Sequence, residues 1–277
     1  MKKGIKLLML LLASALLMAS CSTMSASDSY VSSEEVSAKT SEQPLGIMSA
    51  MDVELAFLLD QATIERVVSI GGNDFNVGTL EGQPVVIVKA GVGKSLSAAC
   101  TAILIDEFDV SGIVFTGIAG GVAPEVEITD VVISTHVMFH DYGYFGNDGK
   151  VTIGSDFVSK VDVESDPVME KEAYEAAVEV LGEDKVYEGL IATGDQFMAN
   201  AEYVDYLYKT FDVYAVEMEG ASVGYVASQY DVPFVVIRSM SDKADGLAHE
   251  AYNNWYSEVS DNSGKIVMQF MKNRAAE

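Results

Sequence analysis

The sequence predicts an α/β protein with three layers, in which helices cover both faces of a central, mixed and twisted β-sheet. Apolar runs of strand length alternate with segments of helical periodicity from about residue 45 onward, which is typical of a mostly parallel or mixed sheet flanked by helices. A hairpin pattern around the sequence GGN adds antiparallel strands to this sheet. The hydrophobic content of 49% is enough for a substantial core and excludes a chain that is disordered throughout.

Residues 1–20, ahead of the fold, are predicted to form a secretory signal of the lipoprotein type. Three lysines precede the apolar stretch LLMLLLASALLM, which is too short to be interpreted as a transmembrane span. Two small residues then precede Cys21. This arrangement resembles the bacterial lipobox, in which the cysteine is lipidated and becomes the mature N-terminus, although Met18 stands where that pattern usually has leucine. The alternative is ordinary signal cleavage that leaves Cys21 as a free thiol.

Residues 21–44 are predicted to carry the lipidated cysteine and a flexible tether, because they are rich in serine and have almost no large apolar residues. The folded domain is expected to span residues 45–277. Removal of residues 1–20 takes away three lysines and no acidic residue, so the formal charge of −25 becomes −28. Such a charge opposes nucleic acids and anionic membrane surfaces as partners. We therefore expect an extracytoplasmic bacterial lipoprotein that contacts the membrane only through its N-terminal lipid.

The first half of the domain is predicted to be rich in strands. Apolar, β-branched runs indicate the strands, and apolar residues at helical spacing indicate the helices. In order, the elements are a buried strand LGIMSA (45–50), a helix MDVELAFLLDQA (51–62), the hairpin strands IERVVSI (64–70) and FNVGTL (75–80), a strand PVVIVKA (84–90) and a helix from Lys94 to Phe108.

Strands and helices alternate more regularly in the second half. GIVFTG (112–117) is an apolar strand that ends in the glycine cluster GIAGG, and DVVISTHVMFH (130–140) continues the sheet before a polar segment. The remaining elements are expected to be a helix at 167–182, a strand at 186–194, a short helix at 201–210, a strand at 214–219, a helix at 220–230, a strand at 232–239 and a long C-terminal helix. Neither an internal repeat nor a domain boundary after Pro44 is expected.

Several short motifs have contexts that argue against the function they first indicate. VKAGVGKS (88–95) ends like a phosphate-binding P-loop, but Val88 stands where that motif needs glycine. The glycines of this turn and of GIAGG (117–121) are interpreted as close backbone approaches to a ligand or as plain structural turns. The histidines lack metal-ligand spacing, so neither a metal nor a cofactor is expected. His140 is interpreted as a buried histidine that Asp141 orients, with a functional pair as the alternative.

The strongest functional pattern is AVEMEGASVGYVASQYDVPFVVIRSMSDKADG (215–246). It places Glu217 and Glu219 at the end of one β-rich run, and it places Arg238, a serine and Asp242 at the C-terminal end of the next strand. Ligands of open α/β sheets bind beyond the carboxyl ends of the strands. The pattern therefore predicts a small-molecule site with acid–base capacity, with ordinary solvated surface charges as the alternative.

Six motifs in one order, from about residue 45 to the C-terminus, carry a resemblance to a known family. They are GIMSAMDVE (46–54), AGVGK (90–94), TGIAGG (116–121), GDQFM (194–198), VEMEG (216–220) and VPFVVIRSMSD (232–242). Together they resemble the purine and uridine phosphorylase superfamily, and they are most similar to the bacterial 5′-methylthioadenosine/S-adenosylhomocysteine nucleosidases.

The resemblance implies hydrolysis of the N-glycosidic bond of an adenosine thioether, which releases adenine and the thioribose product in purine and methionine salvage. Such cleavage needs an acid that protonates the purine, so that the base leaves neutral, and a base that activates water. By the resemblance, Asp242 is the acid and Ser241 helps to position it. Partial burial would raise the pKa of Asp242 as this role requires. Glu54 is implied to activate the water.

The resemblance assigns the other residues to substrate binding. Glu219 would bind the ribose 2′- and 3′-hydroxyls, with Met218 packed on the sugar. Arg238 would pair with Glu219 and hold it ionised, and Phe197 would stack on the adenine. The remaining residues of the implied binding site are Val92, Ile118, Ala119, Gly120, Met198, whose backbone would read the adenine edge, Glu217 and Tyr252.

The chain departs from the family pattern at two places. Ile118 stands where many of these nucleosidases have serine, so only backbone contacts are expected there. HDYGYFG (140–146) is shorter and differently spaced than the segment with which, in the family, a partner subunit closes the 5′-alkylthio pocket. Tyr252 would replace an aromatic lid residue. A homodimer is implied by the resemblance, and the choice of 5′ substituent stays open.

Three other functions are alternatives: a phosphorylase on the same fold, a nucleosidase for another 5′-modified adenosine such as an aminodeoxyfutalosine-type nucleoside, and a non-catalytic nucleoside-binding or adhesin lipoprotein. Phosphorolysis needs cationic groups for phosphate, whereas the first strand region has no arginine and Glu54 would repel phosphate. Binding alone does not need an acid, a water-activating carboxylate and a sugar-binding carboxylate together. Hydrolysis is therefore favoured.

Overall fold

The computed structural model describes residues 43–147, 151–153 and 162–276. The predicted signal peptide, Cys21 and all but the last two residues of the predicted tether lie outside these ranges. The first strand begins at Leu45, where the folded domain is predicted to begin. Within the described ranges, no helix combines the length and the apolar character that crossing a membrane requires.

A mixed β-sheet forms the centre of the fold. Its strands are β1 (Leu45–Ser49), β2 (Thr63–Ile70), β3 (Asn73–Leu80), β4 (Gln83–Lys89), β5 (Gly112–Gly121), β6 (Val131–Phe139), β9 (Asp162–Glu164), β10 (Val186–Thr193), β11 (Val213–Glu217) and β12 (Phe234–Asp242). Two further short strands, β7 (Gly143–Phe145) and β8 (Val151–Ile153), pair with each other. The strand order is β11-β10-β6-β12-β5-β1-β4-β3-β2, and β9 pairs with β6.

Helices cover both faces of the sheet. They are α1 (Asp52–Gln61), α2 (Lys94–Phe108), α3 (Pro167–Leu181), α4 (Ala201–Phe211), α5 (Gly220–Gln229) and α6 (Ala248–Ala275). One apolar cluster buries α2 and α5 against the sheet, and a second buries α1, α3 and α6 on the opposite face. The predicted three-layer α/β/α class with a mixed sheet is therefore confirmed.

The centre of the sheet combines parallel and antiparallel pairing. β5 lies between β1 and β12 and is parallel to both, whereas β12 is antiparallel to its other neighbour, β6. All residues of β5 and β12 are buried, as expected for strands covered on both faces. Because β1, β5 and β12 run in the same direction, their carboxyl ends meet at one edge of the sheet.

Two local predictions need correction. The strand predicted to stop at Gly117 continues to Gly121, so the GIAGG cluster is part of β5 and not a turn after it. The extension is explained by its neighbours: Gly120 pairs with Asp242 of β12 and Val216 of β11, and Gly121 pairs with Ala215. The polar segment after His140 contains the short strands β7, β8 and β9, which the sequence pattern did not predict.

Candidate active site

A cleft of ≈ 320 Å³ opens where the carboxyl ends of β1, β5, β11 and β12 meet. Nearly all of the predicted site residues line it, although they come from widely separated parts of the chain. Those residues are Glu54, Val92, Ile118, Ala119, Gly120, Phe197, Met198, Glu217, Met218, Glu219, Ser241, Asp242 and Tyr252. Arg238 is the exception, since it lies behind the cleft with its side chain fully buried.

Glu54 is held on one side of the cleft by four hydrogen bonds. Its Oε2 accepts from the Ser49 hydroxyl at 2.5 Å and from the backbone N–H groups of Ala50 at 3.1 Å and Met51 at 2.8 Å. Its Oε1 accepts from the backbone N–H of Ile118 at 3.0 Å. Because Glu54 lies in the first turn of α1 and accepts the N–H of the residue that caps the helix, local helix chemistry already favours a carboxylate here.

Glu217 joins the end of β11 to the start of α5. Its Oε2 accepts the backbone N–H groups of Glu219 at 3.0 Å and Gly220 at 2.7 Å, and its Oε1 accepts the hydroxyl of Thr193. The same Thr193 hydroxyl accepts the N–H of Ala221 at 2.8 Å. The carboxylate therefore serves the first, otherwise unpaired, N–H groups of the helix.

Arg238 pairs with two carboxylates in the core behind the cleft. One of its terminal nitrogens donates to Oε2 of Glu217 and lies 3.3 Å from Oε2 of Glu219. Its guanidinium carbon lies 4.5 Å from the centroid of the Phe115 ring, a cation–π geometry. Within the described residues, Nε and Nη1 of Arg238 have no hydrogen-bond partner. The predicted pairing of Arg238 with Glu219 is present, and Glu217, predicted to lie close behind, is the nearer of the two partners.

Glu219 is only partly neutralised by this arginine. Burial and the nearby charge of Glu217 raise the pKa of Glu219 to about 7, and Arg238 and the Gly93 N–H only reduce the increase. The Gly93 N–H donates to Oε1 of Glu219 at 2.8 Å. Arg238 therefore opposes the increase in the pKa of Glu219 without cancelling it, because two buried carboxylates share one cation.

Asp242 lies at the end of β12 beside Ser241. Its Oδ2 accepts the Ser241 hydroxyl at 2.8 Å, and its Oδ1 accepts the backbone N–H of Ala244 at 2.8 Å. Burial raises the pKa of Asp242, and the two hydrogen bonds oppose the increase. The Ser241 hydroxyl also lies 3.3 Å from the carbonyl oxygen of Ala119. The side chain thus combines a fixed orientation with a raised affinity for a proton, which is what a general acid needs.

Aromatic side chains cover the outer end of the cleft. Phe197 is 47% exposed and makes edge-to-face contacts with Tyr252 at 5.7 Å and His249 at 6.5 Å between ring centroids. Tyr252 stacks on Tyr256 at 5.5 Å. Phe197 is therefore held by two aromatic neighbours while nearly half of the residue remains exposed and available to a planar ligand.

Gly117 allows Glu54 and Arg238 to approach the same point of β5. A Cβ atom at this position would lie against the guanidinium of Arg238 and 2.5 Å from Oε1 of Glu54. Only glycine leaves room for both side chains. Gly117 of the GIAGG cluster therefore allows Glu54 and Arg238 to lie close to the backbone of β5. The ligand-facing part of the cluster is Ile118, Ala119 and Gly120, which line the cleft.

Several residues with clear contacts to the site were not predicted. Ser49 and Thr193 orient Glu54 and Glu217, and Met51 and His249 line the cleft. The other unpredicted lining residues are Ala50, Gln196 and Val216. Ser49 and Thr193 are hydroxyl residues at the ends of apolar strands, and this position could have identified them as site residues from the sequence. His249 follows a loop, and no sequence pattern around it indicates a site.

The interpretation of His140 also needs correction. The ring of His140 is buried against Gly194, and neither ring nitrogen has a hydrogen-bond partner among the described residues. Its neighbour Asp141 contacts Lys94 and the backbone of Asp195 instead. Asp141 therefore does not orient the imidazole. Burial lowers the pKa of His140 and favours the neutral ring.

Comparisons with known proteins agree with this geometry. Residues 44–272 match the family model of the phosphorylase superfamily. A 5′-methylthioadenosine/S-adenosylhomocysteine nucleosidase from Shewanella denitrificans is 36% identical over 233 residues, which are 82% of this chain and 98% of the relative.

Solved structures are similar over the same region. The 5′-methylthioadenosine/S-adenosylhomocysteine nucleosidase from Helicobacter pylori, solved with butyl-thio-DADMe-Immucillin-A, superposes with a TM-score of 0.76 at 29% identity, covering 84% of this chain and 99% of that one. The futalosine hydrolase of Helicobacter pylori superposes with a TM-score of 0.75 at 29% identity, covering 83% of this chain and 98% of that one.

The raised pKa of Glu219 predicts a pH-dependent contribution to stability. Because the folded-state pKa of about 7 exceeds the ordinary value of 4.5, protonated Glu219 stabilises the fold below about pH 4.5, and this contribution is lost as the pH rises through 7. In urea unfolding between pH 4.5 and 8, Glu219→Gln should lose less stability with rising pH than the wild type. The exposed Glu65→Gln is the matched control and should follow the wild type. Parallel curves for Glu219→Gln and the wild type would contradict the assignment.

Proposed function

This chain belongs to the phosphorylase superfamily, and within that family we propose that it is a nucleosidase acting on 5′-methylthioadenosine and S-adenosylhomocysteine. The reaction is hydrolysis of the N-glycosidic bond, with release of adenine and the thioribose product. The observation that carries the proposal is that one cleft contains both a buried, oriented carboxylate, Glu54, and a carboxyl group of raised pKa, Asp242. These are the two groups that hydrolytic loss of a purine requires.

Asp242 is the proposed general acid. A protonated carboxyl group donates to the purine ring and lets adenine leave as a neutral molecule, which lowers the barrier to breaking the bond to the sugar. Burial of Asp242 keeps a larger fraction protonated near neutral pH than in water. The hydrogen bonds from Ser241 and Ala244 keep the carboxyl group in one orientation.

Glu54 is the proposed water-activating group. Both of its oxygens are fixed by backbone N–H groups, so its position does not depend on a flexible side-chain partner. Oε1 accepts only the N–H of Ile118 in the described structure and retains a free lone pair for a water molecule. Ile118 thus supports Glu54 through its backbone, although it has no hydroxyl.

Glu219 and Met218 are the proposed sugar-binding residues. A carboxyl group near its pKa can accept a hydrogen bond from one ribose hydroxyl and donate to the other, and the pKa of Glu219 is raised to about 7. Met218 lines the same part of the cleft with an apolar side chain. The half-exposed ring of Phe197 is the proposed stacking surface for adenine, and the backbone of Met198 is its proposed edge contact.

The charges around the cleft favour water over phosphate as the attacking group. Among the residues that the structure describes, no lysine or arginine lines the cleft, and the nearby Arg238 is engaged by Glu217 and Glu219. Buried carboxylates close to the reacting carbon would repel phosphate. The phosphorylase alternative is therefore not favoured.

A different 5′-modified adenosine is the second candidate substrate. The similarity to futalosine hydrolase of Helicobacter pylori, at a TM-score of 0.75, supports keeping this candidate. The catalytic roles of Glu54 and Asp242 would be the same, since only the 5′ substituent differs.

We also propose that the protein acts as a homodimer. Tyr142, Tyr144 and Phe145 are 49%, 60% and 69% exposed. They lie in the segment after His140, which by the resemblance corresponds to the part of a partner subunit that closes the 5′-alkylthio pocket. Exposed aromatic side chains grouped in this way are typical of protein interfaces. Sedimentation equilibrium should give twice the monomer mass, and a monomer at micromolar concentration would exclude the dimer.

The N-terminus is the proposed site of membrane attachment. Cys21 after an apolar signal supports lipidation, and the mature charge of −28 leaves the acyl chains as the attachment to an anionic membrane. Labelled palmitate should enter the wild-type protein and not Cys21→Ser, and equal labelling of the two would contradict lipidation at Cys21.

The proposed reaction predicts adenine release without phosphate. With the intact protein and methylthioadenosine, adenine release followed by chromatography should be the same with and without phosphate. Asp242→Asn should lower kcat by at least about 10²-fold, the usual contribution of general acid–base catalysis. Asp261→Asn, an exposed change of the same kind in α6, should retain wild-type kcat.

Each other outcome would identify one of the named alternatives. Release that requires phosphate would identify a phosphorylase, and release from a different 5′-modified adenosine only would identify the second candidate. Binding of methylthioadenosine without release of adenine would indicate the non-catalytic binding protein.

A further inference from the structure

Three segments beside the cleft are connected by a small ionic network. The first is the start of α2, where Gly93 binds Glu219. The second is the loop of residues 194–198, which carries Phe197. The third is Asp141, which follows β6. Neither Asp141 nor Lys94 lines the cleft, so neither belongs to the site described above.

The network is closed, because each of its three members contacts the other two. Nζ of Lys94 lies 2.5 Å from Oδ1 of Asp141 and 3.7 Å from Oδ2 of Asp195. Oδ2 of Asp141 accepts the backbone N–H of Asp195 at 2.9 Å, and Oδ1 of Asp195 accepts the backbone N–H of Lys94 at 2.9 Å. Both carboxylates thus connect a backbone N–H group with the same ammonium group.

Asp141 is the best enclosed acid of this network. The side chain of Asp141 is 11% exposed, against 23% for Lys94 and 47% for Asp195. Hydrogen bonds that involve charged partners are stronger when water has less access to them. Asp141 therefore contributes most to holding the loop of residues 194–198 against the start of α2.

Close steric contacts restrict the same two segments. A Cβ atom at Gly93 would lie 3.1 Å from Oδ1 of Asp195, and one at Gly194 would lie 2.5 Å from Cε1 of His140. Gly93 also has a φ of 102°, which favours glycine. The two glycines therefore let the side chains of Asp195 and His140 lie at distances that larger residues would increase.

We propose that Asp141 is a positioning residue, which through Lys94 and the Asp195 backbone sets the distance between the sugar-binding Glu219 and the adenine-binding Phe197. This inference rests on the proposed function, because it assigns those two residues to the two halves of one nucleoside. Gly93 connects directly to Glu219, and Asp195 precedes Phe197 by two residues. A shift of the start of α2 or of the loop of residues 194–198 would therefore weaken simultaneous binding of the sugar and the adenine of one nucleoside.

The test compares Asp141→Ala, Lys94→Met and the double variant in the intact protein. Each single change should raise KM for methylthioadenosine at least about tenfold, as expected for loss of a charge-assisted hydrogen bond, and should change kcat less. The double variant should lose less than the sum of the two single losses, because both single variants already lose the same contact between Lys94 and Asp141. Lys94→Arg keeps the positive charge and should restore most of the wild-type KM.

The control is the exposed pair Lys209 and Asp205 on α4, whose side chains are 69% and 56% exposed. Asp205→Ala should leave KM unchanged. A wild-type KM in Asp141→Ala, a lowered melting temperature without a change in KM, or additive effects in the double variant would each overturn the proposal.

Failure of the proposed function gives a different result. In that case the wild type releases no adenine, and the same variants are compared by the dissociation constant for methylthioadenosine in calorimetry. Weaker binding by Asp141→Ala and Lys94→Met, with a less than additive loss in the double variant, would still support the positioning role, and unchanged binding would overturn it.

Discussion

The buried ion pairing of Arg238 with Glu217 and Glu219 is the interaction on which the site depends. Two carboxylates at 7% and 4% exposure would be strongly unfavourable in the core without a cation, and Arg238 is fully buried beside them. Its charge lowers the pKa of Glu219 against the larger effect of burial. Without this arginine the strand end could not keep two carboxyl groups buried at the cleft.

The backbone supplies most of the remaining support. Glu54, Glu217, Glu219 and Asp242 each accept at least one backbone N–H group, at the start of a helix or in a tight turn after a strand. Such donors are fixed by secondary structure and lose little conformational entropy when they bind an acid. The sheet therefore provides rigid positions for the acidic half of the cleft.

The side of the cleft that is proposed to bind adenine is built differently. Phe197 lies in a loop with no regular secondary structure, and its neighbours Asp195 and Gln196 are exposed. Its position relative to the sheet depends on side-chain contacts, namely the edge-to-face contacts with Tyr252 and His249 and the network around Asp141. One half of the cleft is thus set by backbone pairing, and the other half by contacts between distant segments.

The amino-acid sequence is sufficient to predict the fold class, most element bounds and the identity of the chemical groups. Periodicity predicts α2 at Lys94–Phe108, as found, and the order of the six motifs assigns Glu54 and Asp242 to one site, whose cleft both residues line. These features depend on local spacing or on the order of motifs, so one chain is enough to recognise them.

Only the tertiary structure determines which charged groups pair with each other. The nearer partner of Arg238 is Glu217, and Asp141 binds Lys94 and Asp195 in place of His140. β5 extends through GIAGG because β11 and β12 both pair with it. Each of these outcomes depends on distances between residues far apart in the chain, and electrostatic energies change steeply with distance and burial. The amino-acid sequence by itself gives neither the distance between two such residues nor their burial.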